Sequence, residues 1–332
     1  MTISLRQRLI QGLVKNPLLV LLIVMVVAVQ IATGSQLNWP NLRGVLLDGA
    51  VIAIVAIPGA MLIISGYIDL SVGSTLALGG VTAGMIMEGG TGNPALAVLA
   101  AIGAGVLVGL FNGVVTTYFG LNSFIATLGA LTAVRGAAQL LSPLGRSTFG
   151  DAFGFLGVGT LVGIPVAVIV AAVLLILAAL FLRFTPAGRH VYAIGVNREA
   201  AYLSGVNVKR IPFVLFVVSG GAAGLAGAIT VARLNSAPPG QLGVGFELVV
   251  LTAVLLGGVV FTGGEGSMFG VLVGVLFLGL LNNALTLLGV TSFWQNVATG
   301  LALVAAIGIG AYIHVVRQKI ESAQAARLAE QA

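Results

Sequence analysis

The sequence predicts an all-α polytopic membrane protein of about ten transmembrane helices, and three observations carry that expectation. The chain is 58% hydrophobic and only 7% charged, so lipid is the solvent most of it requires. At about 20 apolar residues per span, 332 residues hold roughly eight to ten crossings and leave no room for a soluble domain. Ten apolar runs are found, at 17–34, 44–64, 70–88, 95–119, 123–142, 164–182, 212–232, 247–262, 267–288 and 294–313.

The first run follows Arg6, Arg8 and Lys15, and no small-x-small cleavage site comes after it, so a retained anchor is expected. The third and eighth runs are the weakest, and either could be a re-entrant or broken helix. Between the sixth and seventh runs lies a polar island, 188–210, with Arg189, Arg198, Glu199, Lys209 and Arg210. Central charges cost roughly 2.5–3.5 kcal/mol each on insertion scales, so this stretch lies outside the bilayer.

Lys and Arg retained in the cytoplasm set orientation. An inside N-terminus places Arg6, Arg8, Lys15, Arg183, Arg189, Arg198, Lys209, Arg210, Arg317, Lys319 and Arg327 in the cytoplasm. It leaves Arg43, Arg146 and Arg233 outside and Arg135 within the fifth run. The reading is one transmembrane domain, 1–332, with cytoplasmic segments at 1–16, 183–211 and 314–332.

The two halves echo each other in order. Asp69 with Gly79-Gly80 matches Glu247 with Gly257-Gly258, and Gly-Val-Leu-Val-Gly occurs at 105–109 and 270–274. Asn122-Ser123-Phe124 parallels Thr291-Ser292-Phe293. Runs three to five thus pair with eight to ten, and because five is odd the expectation is an inverted repeat of five plus five, with a pathway near the repeat interface.

Several function classes fall away. Cysteine is absent, and His190 and His314 lie far apart, so no metal site and no cofactor is expected. The formal charge is +6, but without an arginine-rich stripe or aromatic platform it does not indicate nucleic acid. No His-Glu-x-x-His, Gly-x-Ser-x-Gly or closely paired carboxylates mark an enzyme. No Gly-x-x-x-x-Gly-Lys-Ser/Thr segment exists, so any ATP hydrolysis is expected in a partner chain.

Some residues remain candidates for chemistry. Small residues at Gly80/Gly84, Gly105/Gly109/Gly113, Gly220/Gly224 and Gly270/Gly274 predict close helix packing. Asp69, Ser71 and Ser74 stand where a helix should begin, either to cap it or to shape a pathway wall. Glu247 carries the same two readings. Arg135 either faces the bundle, against an acid or carbonyls, or snorkels outward. Asp69, Ser71, Asn112, Asn122, Phe124, Asn282 and Asn283 are candidate pathway residues. Gln139 shares the polar character, although interhelical hydrogen bonds explain many such side chains. The loop Thr262–Ser267 is a tight turn or a gating contact.

Ile68-Asp-Leu-Ser-Val-Gly-Ser74, Asn122-Ser-Phe-Ile-Ala-Thr-Leu-Gly129, Gly188-Arg-His-Val-Tyr-Ala-Ile-Gly195 and Glu199-Ala-Ala-Tyr-Leu-Ser-Gly-Val-Asn207 occur in order. Leu256-Gly-Gly, Gly263-Gly-Glu-Gly-Ser267 and Leu288-Gly-Val-Thr-Ser-Phe-Trp-Gln295 follow. Over nearly its full length the chain resembles the permease subunit of bacterial ABC importers for ribose and other simple sugars. The resemblance implies a type II-like importer architecture in the cytoplasmic membrane and a paired or homodimeric permease. Its partners would be a cytoplasmic ATPase and a periplasmic or tethered sugar-binding protein. It also implies that Gly188, Arg189, Asn197, Arg198, Glu199, Ala200, Ala201 and Gly205 form the segment coupling to the ATPase. The sequence departs from the family where Ser123 replaces a common Pro, and at Val196 and Arg198, where glycine and an acid are common.

Overall fold

The computed structural model describes residues 17–308, so the expected cytoplasmic segments 1–16 and 314–332 lie outside the described residues. The described chain is a helical bundle. In order it forms α1 (Pro17–Thr33), α2 (Trp39–Ile64), α3 (Val72–Met87), α4 (Pro94–Gly113, continued by a π turn Val114–Tyr118) and α5 (Ser123–Leu141). A short helix α6 (Asp151–Val158) and a small hairpin, β1 (Thr160–Leu161) with β2 (Ile164–Pro165), lead to α7 (Val166–Phe184). Then come α8 (Pro186–Val196), α9 (Arg198–Leu203), α10 (Arg210–Leu234), α11 (Phe246–Leu256), α12 (Met268–Leu287) and α13 (292–308). Among the described residues, six helices, α2, α4, α5, α7, α10 and α12, are long and apolar enough to cross a membrane.

α2 is the centre of the molecule. Its run from Ile54 to Ile64 is almost wholly buried, and α7, α10, α11 and α12 pack around it. That run carries no polar side chain, so nothing opposes its burial on all sides. α10 packs in turn against α3 and α4.

The α4–α10 contact is built from missing side chains. A Cβ on Gly105 or Gly109 would overlap the carbonyls of Gly220 or Phe216, and one on Gly220 or Gly224 would overlap those of Gly105 or Ala101. Lipid tails are as apolar as leucine, so close backbone approach and dispersion supply the attraction. The spacing of four expected from the sequence is thus realised. The second copy of the pentapeptide packs elsewhere: Gly274 lies against Ala253 of α11 and Gly270 against Gly257, the residue that ends that helix.

α6 and the hairpin were not anticipated from hydropathy. Phe149 and Phe153 are buried there as an edge-to-face pair with centroids 6.0 Å apart, sealing one end of α3 and α10. At the same end Arg146 pairs with Glu88, Arg233 with Asp48 at 2.6 Å, and Ser147 bridges Ser236.

Candidate functional site

The first site is the break between α2 and α3. α2 stops where Gly66 takes φ +82°, a left-handed conformation that a side chain would strain. The freed backbone then needs donors and acceptors. Asp69 Oδ1 accepts from the Ser71 amide at 2.9 Å and the Ser71 hydroxyl at 2.6 Å, and Oδ2 accepts from Ser219 of α10 at 3.2 Å. Asn112 of α4 donates to the Ser71 hydroxyl at 2.8 Å and to Asp69 at 3.5 Å. From α5, the Ser123 and Thr127 hydroxyls accept the amides of Ile68 and Leu70 at 3.2 and 3.0 Å.

Ser71, Asn112, Thr127 and Ser219 are fully buried. α3, α4 and α10 are therefore tied to one carboxylate by two hydroxyls and an amide, and α5 is tied to the backbone on either side of it. Asp69 does not cap α3 through its helical amides; it holds the amide of Ser71, the N-cap residue itself, in the manner of an Asx turn.

The start of α11 faces this break. The Glu247 carboxylate lies against Gly73, where any side chain would displace it. Between Asp69 and Glu247 is a cavity of about 20 Å³, walled by Ile63, Val250 and Val254, which is room for one water. Arg135 resolves its two readings: from α5 it donates to the carbonyls of Pro239 (3.3 Å), Leu242 and Gly243 (3.0 Å), in the loop that enters α11. It faces the bundle.

The polar island folds as α8 and α9. Thr185 caps α8 by accepting the Gly188 amide at 2.9 Å, and Asn197 caps α9 by accepting the Ala200 amide at 2.9 Å. Ala201, Ile194, Val206 and Val208 form a small core of their own, and Gly205 closes the turn with φ +81°. Gly188 lies flush on α7 at Phe181 and Leu182.

The outward side carries Arg189, Arg198, Glu199 and Ala200 together with Val196, Tyr202 and Leu203, exposed by 74%, 66% and 79%. The inward side is knotted to the bundle. The Gly264 amide donates to the Ile64 carbonyl at 2.8 Å, Tyr192 donates to the Gly266 carbonyl at 3.0 Å, and the Arg198 guanidinium sits 5.7 Å from the Tyr67 ring centroid. Burial pushes the Tyr192 phenol above its ordinary range. The loop 262–266 is thus a turn held against both α2 and α8.

The candidate pathway residues do not form one site. Asp69, Ser71 and Asn112 do. Asn122 caps α5 through the amides of Phe124 and Ile125, and Phe124 projects from α5, 47% exposed. Asn283 makes a reciprocal pair with Asn41 at 2.9 and 2.7 Å near the start of α2, and Asn282 lies beside it in sequence. Ser219, Ser123 and Thr127 are members that sequence reasoning missed. A hydroxyl in the middle of an apolar span, and hydroxyls four apart at a helix start, were the available signals. No group of three or more metal-ligating side chains occurs among the described residues.

A bundle of apolar helices with a buried polar break and an exposed, small-cored island defines a multi-pass membrane protein of the permease class. Residues 41–307 match the family described as branched-chain amino acid transport system / permease component, and the chain belongs to it. It is 37% identical over 300 residues to the ribose import permease protein RbsC of Escherichia coli, covering 89% of this chain and 93% of that one. The Bacillus subtilis RbsC is 38% identical, covering 86% and 89%. The D-allose transport system permease protein AlsC of Escherichia coli is 33% identical, covering 81% and 82%. No solved structure matches the chain.

Proposed function

We propose that this chain is the membrane-spanning permease of an importer for a simple, ribose-like monosaccharide, driven by ATP hydrolysis in a separate cytoplasmic subunit. The observation that carries the reading is the likeness to ribose and allose permeases over most of the chain. The sequence offers no nucleotide-phosphate loop of its own, which makes a partner ATPase the natural motor. The outward face of α9, with Arg198, Glu199 and Ala200, is the docking segment for that ATPase, and Arg189 flanks it. A sugar-binding protein delivers substrate at the opposite end, where α6 and the hairpin stand.

Ten spans, α1–α5, α7 and α10–α13, with both termini cytoplasmic, account for the sidedness. Ile64, α8, α9 and Gly264 gather at one end, and the Arg146–Glu88 and Arg233–Asp48 pairs gather at the other. An inverted repeat of α1–α5 with α7 and α10–α13 is supported by reciprocal packing. α10 lies on α3 and α4, α2 lies on α11 and α12, and α2 and α10 lie on each other.

The translocation route runs along α5. Among the six long apolar helices α5 is the least buried, 17% of its window, yet also the least apolar, with mean hydropathy 1.4. α7, at 22% buried, has mean hydropathy 2.9, as a lipid-facing helix should. An exposed face carrying Thr132 and Gln139 suits water or a second copy better than lipid. A homodimer closing its two α5 faces around a central route follows from this.

The test is uptake of labelled ribose into vesicles holding the full chain with its copurified ATPase and binding protein. ATP-dependent accumulation is expected, and Glu199→Arg should abolish both ATPase copurification and uptake. Accumulation of another solute, such as a nucleoside or branched-chain amino acid, would keep the importer and replace the sugar. Uptake by the chain alone under an ion gradient would replace the importer with a carrier.

A further inference from the structure

Tyr67 occupies a position that no role so far explains. It lies two residues before Asp69, is only 6% exposed, and is held between α9 and α10. On one side it meets Phe216 of α10 edge-to-face, with centroids 5.9 Å apart. On the other, Arg198 at the first position of α9 lies over its ring. Phe216 is one helical turn from Ser219, the α10 hydroxyl that binds Asp69. A continuous set of contacts therefore runs from the exposed helix α9, through the Tyr67 ring, to the buried polar cluster where α2 is broken.

The chemistry at each end differs in kind. A cation over a ring face is attracted by the ring quadrupole and tolerates sliding, so Arg198 and Tyr67 stay in contact while α9 shifts. The Asp69 cluster is directional: its hydrogen bonds weaken steeply as they bend. A small displacement of α9 that tilts Tyr67 is thus converted at Asp69 into a choice between made and unmade bonds to Ser71, Ser219 and Asn112. Elements with discrete alternatives of this sort carry coupling between distant sites.

We propose that Tyr67 is a positioning residue that relays movement of α9 to the Asp69 break, so that engagement of the cytoplasmic partner sets the arrangement of α2, α3, α4 and α10. The relay rests on the reading of α9 as the docking segment. Tyr67 itself is buried behind that surface, so the two ideas separate experimentally.

The chain lacks cysteine, which allows a single reporter thiol at Phe124, the neighbour of the Ser123 hydroxyl that accepts the Ile68 amide. The measurement is the maleimide labelling rate of Phe124→Cys in vesicles holding the full chain and copurified ATPase, with and without MgATP, per ATPase bound. MgATP is expected to change the rate by about fivefold or more when Tyr67 is present. Tyr67→Phe, which keeps the ring, should retain the response, and Tyr67→Leu should lose it while the ATPase still copurifies. Arg198→Gln leaves Tyr67 in place; it should also lose the response, and Tyr67→Leu added to it should take nothing further away.

A full response in Tyr67→Leu, or no response in the chain with both Tyr67 and Arg198 intact, overturns the relay and leaves docking untouched. Undiminished ATPase copurification in Glu199→Arg overturns the docking reading instead. Should Tyr67→Leu fail to fold, Arg198→Gln is read beside its ATPase copurification: a retained response overturns the relay, and a lost response with copurification intact supports it.

Discussion

Gly105 on α4 and Gly220 on α10 meet backbone to backbone, each occupying the space in which the other's side chain would stand. Gly103, two residues earlier, points into open space. Gly105→Val must therefore force the helices apart, at a cost of about 1–3 kcal/mol or more, whereas Gly103→Val should be nearly neutral. Thermal unfolding in detergent, read side by side, should show a lowered midpoint for Gly105→Val alone.

Arg135 satisfies three carbonyls at the entrance to α11 with one guanidinium. Arg135→Ala leaves those acceptors without their charged donor, a loss of about 1.5–3 kcal/mol per strong bond. Arg135→Lys cannot reproduce the planar fork and should recover only part. Hydrogen exchange is the measurement, with faster exchange expected in 240–250 and little change in α4 or α10.

Reporter cysteines distinguish a wet face from a fatty one against a background of no native thiols. Thr132→Cys and Gln139→Cys on α5 should react with a charged maleimide, and Ile176→Cys, 56% exposed on α7, should not. Equal protection of all three would place the α5 face in lipid and remove the proposed route.

Tyr192 lies outside the spans, and its phenol titrates above its unfolded value because it is buried. Its neutral form is the one that fits, so its contribution is complete below about pH 10 and is lost as pH rises through the folded value. Tyr192→Phe should lose the bond to the Gly266 carbonyl, about 1 kcal/mol, and should flatten the alkaline fall in stability. Unfolding midpoints across that range check both effects.

Much of this molecule is written in period and polarity. The glycine spacing at 105, 109 and 113 announces a close helix contact because only absent side chains permit one, and the structure places it against α10. The cluster at Asp69 was visible because a carboxylate in an apolar run demands partners, and Ser71 and Asn112 are among them.

Ser219 was hidden, since a single hydroxyl can satisfy itself on its own helix, and only tertiary packing turns it toward Asp69. Asn282 and Asn283 share composition with the cluster and not location, because polarity says that a side chain needs a partner and not which one. α6 and the hairpin escaped notice because hydropathy averaged over a span length blurs eight-residue elements.

The seam between α4 and α10 sets what movements this protein can make. Two surfaces studded with side chains can ratchet, each knob hopping to the next hole. Two bare backbones interlocked at Gly105, Gly109, Gly220 and Gly224 have no intermediate notch to rest in: a fraction of a turn in either direction drives a carbonyl into an α-carbon. The pair must travel as one strut, and any change in the shape of the route must come from hinging around it.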